Sequence, residues 1–377
     1  MIKRDLLQTI IKGQKKGFIT IIYGPRRIGK TVLLTQLQEY FKNDKIIVVN
    51  GDTEEARELL QKPSEVKLTN FVKDYDLIFI DEAQRIPNIG LSLKIIIDKF
   101  PNKKIIVTGS SSLELSKGVQ ENLTGRNMTY KLYPLSLKEL TAGSDKYKID
   151  FYLEDLMIYG GYPYLQQVGN LEEKQRYLKS LIDDYLFKDV LLLERIDNPD
   201  TFKKLAVLLS WQIGSEVSLN ELARSLNIDI KTVSRYLNLL EKSFVIFCLG
   251  SYSTNLRKEV VKSKKYYFYD LGIRNALTGQ FLPLTSRIDT GKLWENFMIL
   301  EIMKNNEYAQ KMQPYFFWRN YKGAEVDLIT LNQSNLSAFE FKWRDKKYKT
   351  PKNFTDQYQT EVKVINKDNY KKVIGWE

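Results

Sequence analysis

Two glycines, a lysine and a threonine at fixed spacing, in Gly24-Pro25-Arg26-Arg27-Ile28-Gly29-Lys30-Thr31, make up the stretch of this chain best suited to chemistry. Glycines let the backbone turn so that successive N–H groups and a helix N-terminus face an anion. A lysine then supplies a point charge for β- and γ-phosphate oxygens, and a threonine hydroxyl offers itself to Mg²⁺. All eight residues are therefore expected around the phosphates of a nucleotide. A loop of this kind works only between a strand and a helix. Ile19-Thr-Ile-Ile-Tyr23 reads as a buried strand before it, and Val32–Phe41 carries the apolar spacing of an amphipathic helix after it.

Acids and hydroxyls follow at the spacing of an α/β domain. The runs Ile46–Asn50, Leu77–Ile80 and Lys104–Thr108 repeat the β-branched pattern of Ile19–Tyr23, which predicts a parallel sheet covered on both faces. Open sheets of this type hold ligands at the carboxyl ends of their strands. Asp81 and Glu82 fall at such an end, so Asp81 is assigned to Mg²⁺ and Glu82 to polarising the attacking water. Thr108-Gly-Ser-Ser-Ser112 puts hydroxyls at the neighbouring strand end, where one is expected to reach the γ-phosphate or the water, with helix capping as the competing role of the serines. Arg126, in Leu123-Thr-Gly-Arg126, is either a finger completing the nucleotide site of a second copy, which would make the protein a homo-oligomer, or one half of a surface salt bridge.

A second group of chemistry-bearing residues lies near the C-terminus. Gly323–Leu331 and Leu336–Trp343 read as paired strands joined by Asn332-Gln-Ser-Asn335. Period-two alternation puts Glu340 and Lys342 on one face, Asp327 lies across the hairpin, and Glu295 approaches from the helical run Leu293–Glu301. Two or three carboxylates of this set would bind Mg²⁺. The plainer reading is a hairpin bearing acids that hold nothing.

Between these groups, Ser218-Leu-Asn-Glu221 opens a short helix, Asn227-Ile-Asp229 turns the chain, and Ile230–Leu240 forms a second helix. Val233, Leu237 and Leu240 share one face of it, and Lys231, Ser234, Arg235 and Asn238 another. The polar face suits a DNA major groove, with Phe244–Leu249 and Lys265–Tyr269 as a wing; contact with a protein partner is the alternative.

Composition narrows the options. The chain has 377 residues and no histidine, which removes imidazole acids, serine triads and zinc-protease motifs and leaves carboxylates, lysine, arginine and metal. A formal net charge of +12 suits a polyanionic partner, although the 58 basic residues are scattered, as solubilising residues also would be. Cys248 is the one cysteine, which favours a reducing cytoplasm. No apolar run is long enough to cross a bilayer, and Met1-Ile-Lys-Arg-Asp5 does not open a signal peptide.

The loop Gly24–Thr31, the run Phe79-Ile-Asp-Glu-Ala-Gln84, Thr108-Gly-Ser-Ser, and Leu123-Thr-Gly-Arg126 followed by Tyr133–Glu139 together resemble archaeal and bacterial AAA+ ATPases that carry a C-terminal nuclease-like domain. The resemblance extends over nearly the whole chain. It implies ATP rather than GTP, Asp81 and Glu82 as the Walker B acids, and a polar sensor around Ser110. In the same way Asp327, Glu340 and Lys342 match the motif of the PD-(D/E)xK nuclease fold, with Glu295 as its helical acid. That implies a metal at Asp327 and Glu340 and a role for Lys342 in offsetting developing charge.

The expected fold is α/β: a P-loop AAA+ parallel-sheet core over 1–145, a helical lid over 146–205, a winged helix-turn-helix over 206–270, and a restriction-endonuclease-like α/β domain over 271–377. The expected function is ATP binding and hydrolysis with Mg²⁺, coupled to a DNA-contacting winged helix and the nuclease-like domain. Its rival is a nucleotide-gated switch or scaffold whose C-terminal fold recruits a protein and cuts nothing.

Overall fold

A computed structural model describes residues 2–62, 64–109, 123, 125–143, 148–183, 196, 198–253, 264–333, 335–344 and 348–376. The chain divides into two compact units, Met1–Leu135 with Lys242–Phe244, and Ser136–Glu241 with Val245–Glu377. Ser110 lies outside the described residues, as do Arg257, Lys258 and Lys262, the basic residues expected near phosphates between the two wing strands.

The first unit is built on strands β1 (Ile19–Tyr23), β2 (Ile46–Asn50), β3 (Leu77–Asp81), β4 (Lys104–Gly109) and β5 (Asn127–Lys131), all parallel, in the order β2-β3-β4-β1-β5. The four expected strands are present. The fifth, Asn-Met-Thr-Tyr-Lys, has too little β-branched character to stand out in sequence and forms the edge beside β1. Ile19, Ile21, Ile78, Ile80, Ile105 and Val107 share a core with Leu60, Leu68, Leu93, Ile96 and Ile97 of the helices on one face. Alternation sends Ile22, Phe79 and Ile106 to the other face, and they too are fully buried. Full burial of each such side chain stabilises by ~1.5–3 kcal/mol, so covering both faces fixes the sheet firmly. In register, Asn50 sits beside Asp81 and Tyr23 beside Gly109, so the strand ends that carry chemistry line up along one edge.

The second unit contains a seven-stranded sheet. Its strands are β6 (Glu216–Val217), β7 (Ile246–Ser251), β8 (Lys264–Phe268), β9 (Tyr315–Arg319), β10 (Glu325–Asn332), β11 (Asn335–Phe341) and β12 (Val362–Ile365), ordered β12-β11-β10-β9-β7-β8-β6. β7 and β8, expected as a free wing, are antiparallel, and β7 also joins β9 in parallel, so they belong to the same sheet as the C-terminal strands. The helix Thr290–Tyr308 spans it: Trp294 Nε1 donates to the Ile365 carbonyl (3.4 Å), and the Asn296 amide exchanges two hydrogen bonds with the Phe268 backbone (2.7 and 2.9 Å). Helices Leu219–Leu226 and Ile230–Lys242 form the expected pair, with Asn227 in the left-handed region at φ 52° to make the turn. Lys231, Ser234, Arg235 and Asn238 are exposed on the second helix, opposite buried Val233, Leu237 and Leu240. Among the described residues no helix is long and apolar enough to cross a membrane.

Candidate functional site

The phosphate loop follows β1 directly. Gly24 is required by close approach, since a Cβ there would lie 2.4 Å from the Leu132 carbonyl oxygen. Gly29 is required by conformation: its φ of 93° turns the chain into the helix Lys30–Tyr40, and Arg27 also adopts a positive φ, 58°. Pro25 and Ile28 are buried, Arg26 is half-buried and Arg27 exposed. Ile28 is anchored from below by Arg4, whose guanidinium donates to the Ile28 carbonyl (2.9 Å) and the Tyr133 carbonyl (2.6 Å). Sequence reading missed Arg4, which looks like ordinary terminal charge.

Lys30 is buried, and its Nζ donates to the carbonyls of Gly24 (3.1 Å) and Pro25 (2.9 Å). Burial lowers its pKa to about 8, against the pull of Glu82 and Asp81 and with the push of Arg26. This ammonium therefore rests on the loop's own oxygens, at the place where phosphate oxygens would offer more charge.

Thr31, on the helix Lys30–Tyr40, and three groups at the ends of β3 and β4 form one hydrogen-bonded chain. Thr31 Oγ1 donates to Asp81 Oδ2 at 2.8 Å; Asp81 Oδ1 accepts from the Thr108 hydroxyl and from the Glu82 N–H (3.1 Å). The Glu82 N–H also reaches Thr108 Oγ1 at 3.1 Å, and the Glu82 carboxylate accepts from the Gln84 amide. Glu82 itself has φ 50°, which turns its side chain away from the strand direction. Thr108 is fully buried and ties the two acids together, a position that sequence reading gave instead to the serines after it. Thr31 and Asp81 present only oxygen, close together, which fits a hard divalent cation. When bound there, Mg²⁺ would offset phosphate charge.

Arg126 lies elsewhere. Ile19 pairs with Asn127, so Arg126 precedes the amino end of β5, roughly 16 Å from the loop at ~3.3 Å per residue. Its guanidinium, about half exposed, forms an ion pair with Asp98.

In the second unit the C-terminal acids converge. Leu328 pairs with Phe339, so Asp327 faces Glu340 at the next position. Opposite β9 the register slips between Val326 and Ile329, a bulge that bends β10 where Asp327 projects. Asp327 Oδ2 accepts the Phe341 N–H at 2.8 Å, and Glu340 Oε1 accepts from Lys342 Nζ. Carboxylate oxygens of Glu295, Glu325 and Asp327 lie within 4.8 Å of one another. Lys265, fully buried on β8, forms ion pairs with Glu295 (3.6 Å) and Glu325, and Tyr267 donates to Glu295 at 2.7 Å. Burial, together with Glu295 and Glu340, pushes Asp327 well above the usual carboxylate range. Burial also raises Glu340, against the pull of Lys342. Its Oε2 is buried with no hydrogen-bond partner among the described residues. An oxygen-rich pocket with an unsatisfied carboxylate oxygen fits a divalent cation held by Asp327 and Glu340. Sequence reading named Glu295, Asp327, Glu340 and Lys342 but not Lys265 or Tyr267, because β8 reaches the cluster only through the tertiary fold; it also passed over Glu325, which period-two alternation along β10 puts on the same face as Asp327.

Residues 16–141 match the family described as an AAA domain, 150–283 match a domain of unknown function (DUF8612), and 290–373 another (DUF4143). An uncharacterized protein of Methanocaldococcus jannaschii is 26% identical over 358 residues, covering 89% of this chain and 76% of its own. One of Haemophilus influenzae is 24% identical over 405 residues, covering 99% and 93%. Among solved structures, AMPPCP-bound DnaA from Aquifex aeolicus aligns at 19% identity with a TM-score of 0.33, over 63% of this chain and 86% of that one. The family match supports an AAA-type nucleotide-binding domain over residues 16–141, followed by two segments similar to domains of unknown function.

Proposed function

We propose that this protein binds ATP on the loop Gly24–Thr31 and hydrolyses it. The observation that carries this reading is the Thr31–Asp81–Thr108–Glu82 chain, which puts a cation-binding hydroxyl, a carboxylate and a base at one edge of the sheet. The loop N–H groups and Lys30 would hold the phosphates, Thr31 and Asp81 the Mg²⁺. Glu82, released from Gln84, would accept a proton from the attacking water. Ser110 is proposed as an additional contact to the γ-phosphate. Arg126 is too far from its own loop, so a finger role for it requires a second copy. Release of phosphate from ATP tests the reading: Lys30→Ala should lose binding and turnover, and Glu82→Gln should keep binding and lose turnover. Full turnover in both variants would refute it.

The C-terminal cluster supports a second activity, divalent-cation binding with nuclease-like chemistry. Its support is the buried Glu340 Oε2, without a hydrogen-bond partner among the described residues, on the residue across the hairpin from Asp327, with Lys342 beside it at the rim. The exposed face of Lys231, Ser234, Arg235 and Asn238 is proposed to meet the DNA backbone and groove. Mg²⁺-dependent DNA cleavage that disappears in Asp327→Ala would support cutting. Cleavage-free cation binding would favour a scaffold that recruits a protein partner.

A further inference from the structure

Lys265 has no role in the activities proposed above, yet it occupies the middle of the acidic pocket. Two of the three acids that bring oxygens within 4.8 Å of one another, Glu295 and Glu325, already pair with its ammonium. Its side chain is 1% exposed and packs over the Phe317 ring, 5.1 Å from the centroid, so this ammonium does not exchange with solvent ions. Both oxygens of Glu295 are further engaged, Oε1 by the Tyr267 hydroxyl (2.7 Å) and Oε2 by Lys292 at the rim (3.1 Å).

We infer that Lys265 is a built-in cation that fills one of two cation positions in the pocket, so that the site takes a single divalent ion between Asp327 and Glu340. This rests on the reading of the cluster as a cation site. Charge points the same way. Glu295 and Glu325 are already matched in place by Lys265, with Lys292 on Glu295 Oε2 (3.1 Å) and Arg319 4.0 Å from Glu325 Oε2, so a second divalent ion beside them would crowd like charges at low dielectric, where such an imbalance is costly. The unpartnered Glu340 Oε2 marks the position left open, and Asp327 is the acid directly across the hairpin from it. With Lys265 holding Glu295 and Glu325, the acids stay together before any metal arrives, and the one ion that enters is set by Asp327 and Glu340.

The test is a count of bound ions. Mn²⁺ is titrated into the nucleotide-free full-length protein and the free ion is followed by electron paramagnetic resonance. One ion per chain should bind to the wild type and be lost in Asp327→Asn. Lys265→Met should bind two ions that depend on Asp327 and Glu325, while Lys265→Arg should still bind one. Lys265→Gln, which keeps a donor for Glu325 but carries no charge, should also bind two, and serves if the methionine variant does not fold. Two Asp327-dependent ions in the wild type, or one in both neutral variants, would overturn the inference and leave the cation site standing. No Asp327-dependent ion in the wild type would remove the site and the inference together.

Discussion

Replacing Asp327 with Asn should make the metal-free protein more stable while removing its response to metal. Asp327 is almost fully buried with Glu295 and Glu340 as like-charged neighbours, and an oxygen of Glu295 lies within 4.8 Å of one of its own. At an effective dielectric constant of ~20, two unit charges at that separation repel by about 3.5 kcal/mol. Lys265 offsets part of this, leaving a net gain of roughly 1–3 kcal/mol on neutralisation. Asn keeps an oxygen for the Phe341 N–H, which now donates to Asp327 Oδ2, and adds a donor for a neighbouring carboxylate. For a unit of this size, the second unit's melting transition in EDTA should rise by roughly 3–10 °C. The sign with pH follows. The folded-state pKa of Asp327 is raised, so its contribution is fully present below the ordinary value of 3.8 and is lost as pH rises through the raised value. Calorimetry of the wild type in EDTA should show stability falling over that span, and Asp327→Asn should flatten it. Mg²⁺ should raise the wild-type transition and leave the variant unmoved. A variant that melts lower than the wild type in EDTA, with the same Mg²⁺ increment, would refute the reasoning.

The remaining expectations concern the phosphate loop. Lys30 loses its proton around pH 8 in the nucleotide-free state, so ATP affinity measured by calorimetry should be flat below that pH and weaken above it, by up to about tenfold per pH unit. Thr108→Val removes a donor to the Asp81 carboxylate worth ~1.5–3 kcal/mol; steady-state turnover should fall roughly tenfold or more with ATP affinity changed less than about threefold. Arg4→Met strips two buried carbonyls of a donor, at ~1–3 kcal/mol each, so the first unit should melt lower and bind ATP more weakly. Unchanged melting would show that Arg4 does not anchor the loop.

The sequence made the first unit's frame legible because its strands are continuous β-branched runs with a glycine loop between the first strand and its helix. Ile19–Tyr23, Ile46–Asn50, Leu77–Asp81 and Lys104–Gly109 could be placed within a residue or two. The edge strand Asn127–Lys131 could not, since only Tyr130 of its five positions is buried and Asn127 and Lys131 carry little strand preference. Local pattern also found the β10–β11 hairpin, where register alone brings Asp327 to Glu340. It could not find what arrives from a distance. Arg4 reaches Tyr133 across 129 positions, and Lys265 reaches Glu325 across 60. Each is a basic residue in a basic chain until the fold buries it. The expected wing failed as a separate element for a related reason: pairing between β7 and β9 joins segments that no periodicity connects.

That junction carries a consequence for how the chain is made. β7 and β9 meet through Gly250 opposite Phe316 and Ser251 opposite Phe317, with the helix Thr290–Tyr308 in the interval between them. During synthesis β7 waits for more than sixty residues with one backbone edge unpaired and Phe247 and Leu249 beside it, a template for sticking to other chains. A fragment ending between the two segments of unknown function would keep that edge for good. The segments that match separate families, 150–283 and 290–373, are therefore interdependent folding partners, and cutting between them would yield an aggregation-prone piece rather than a domain.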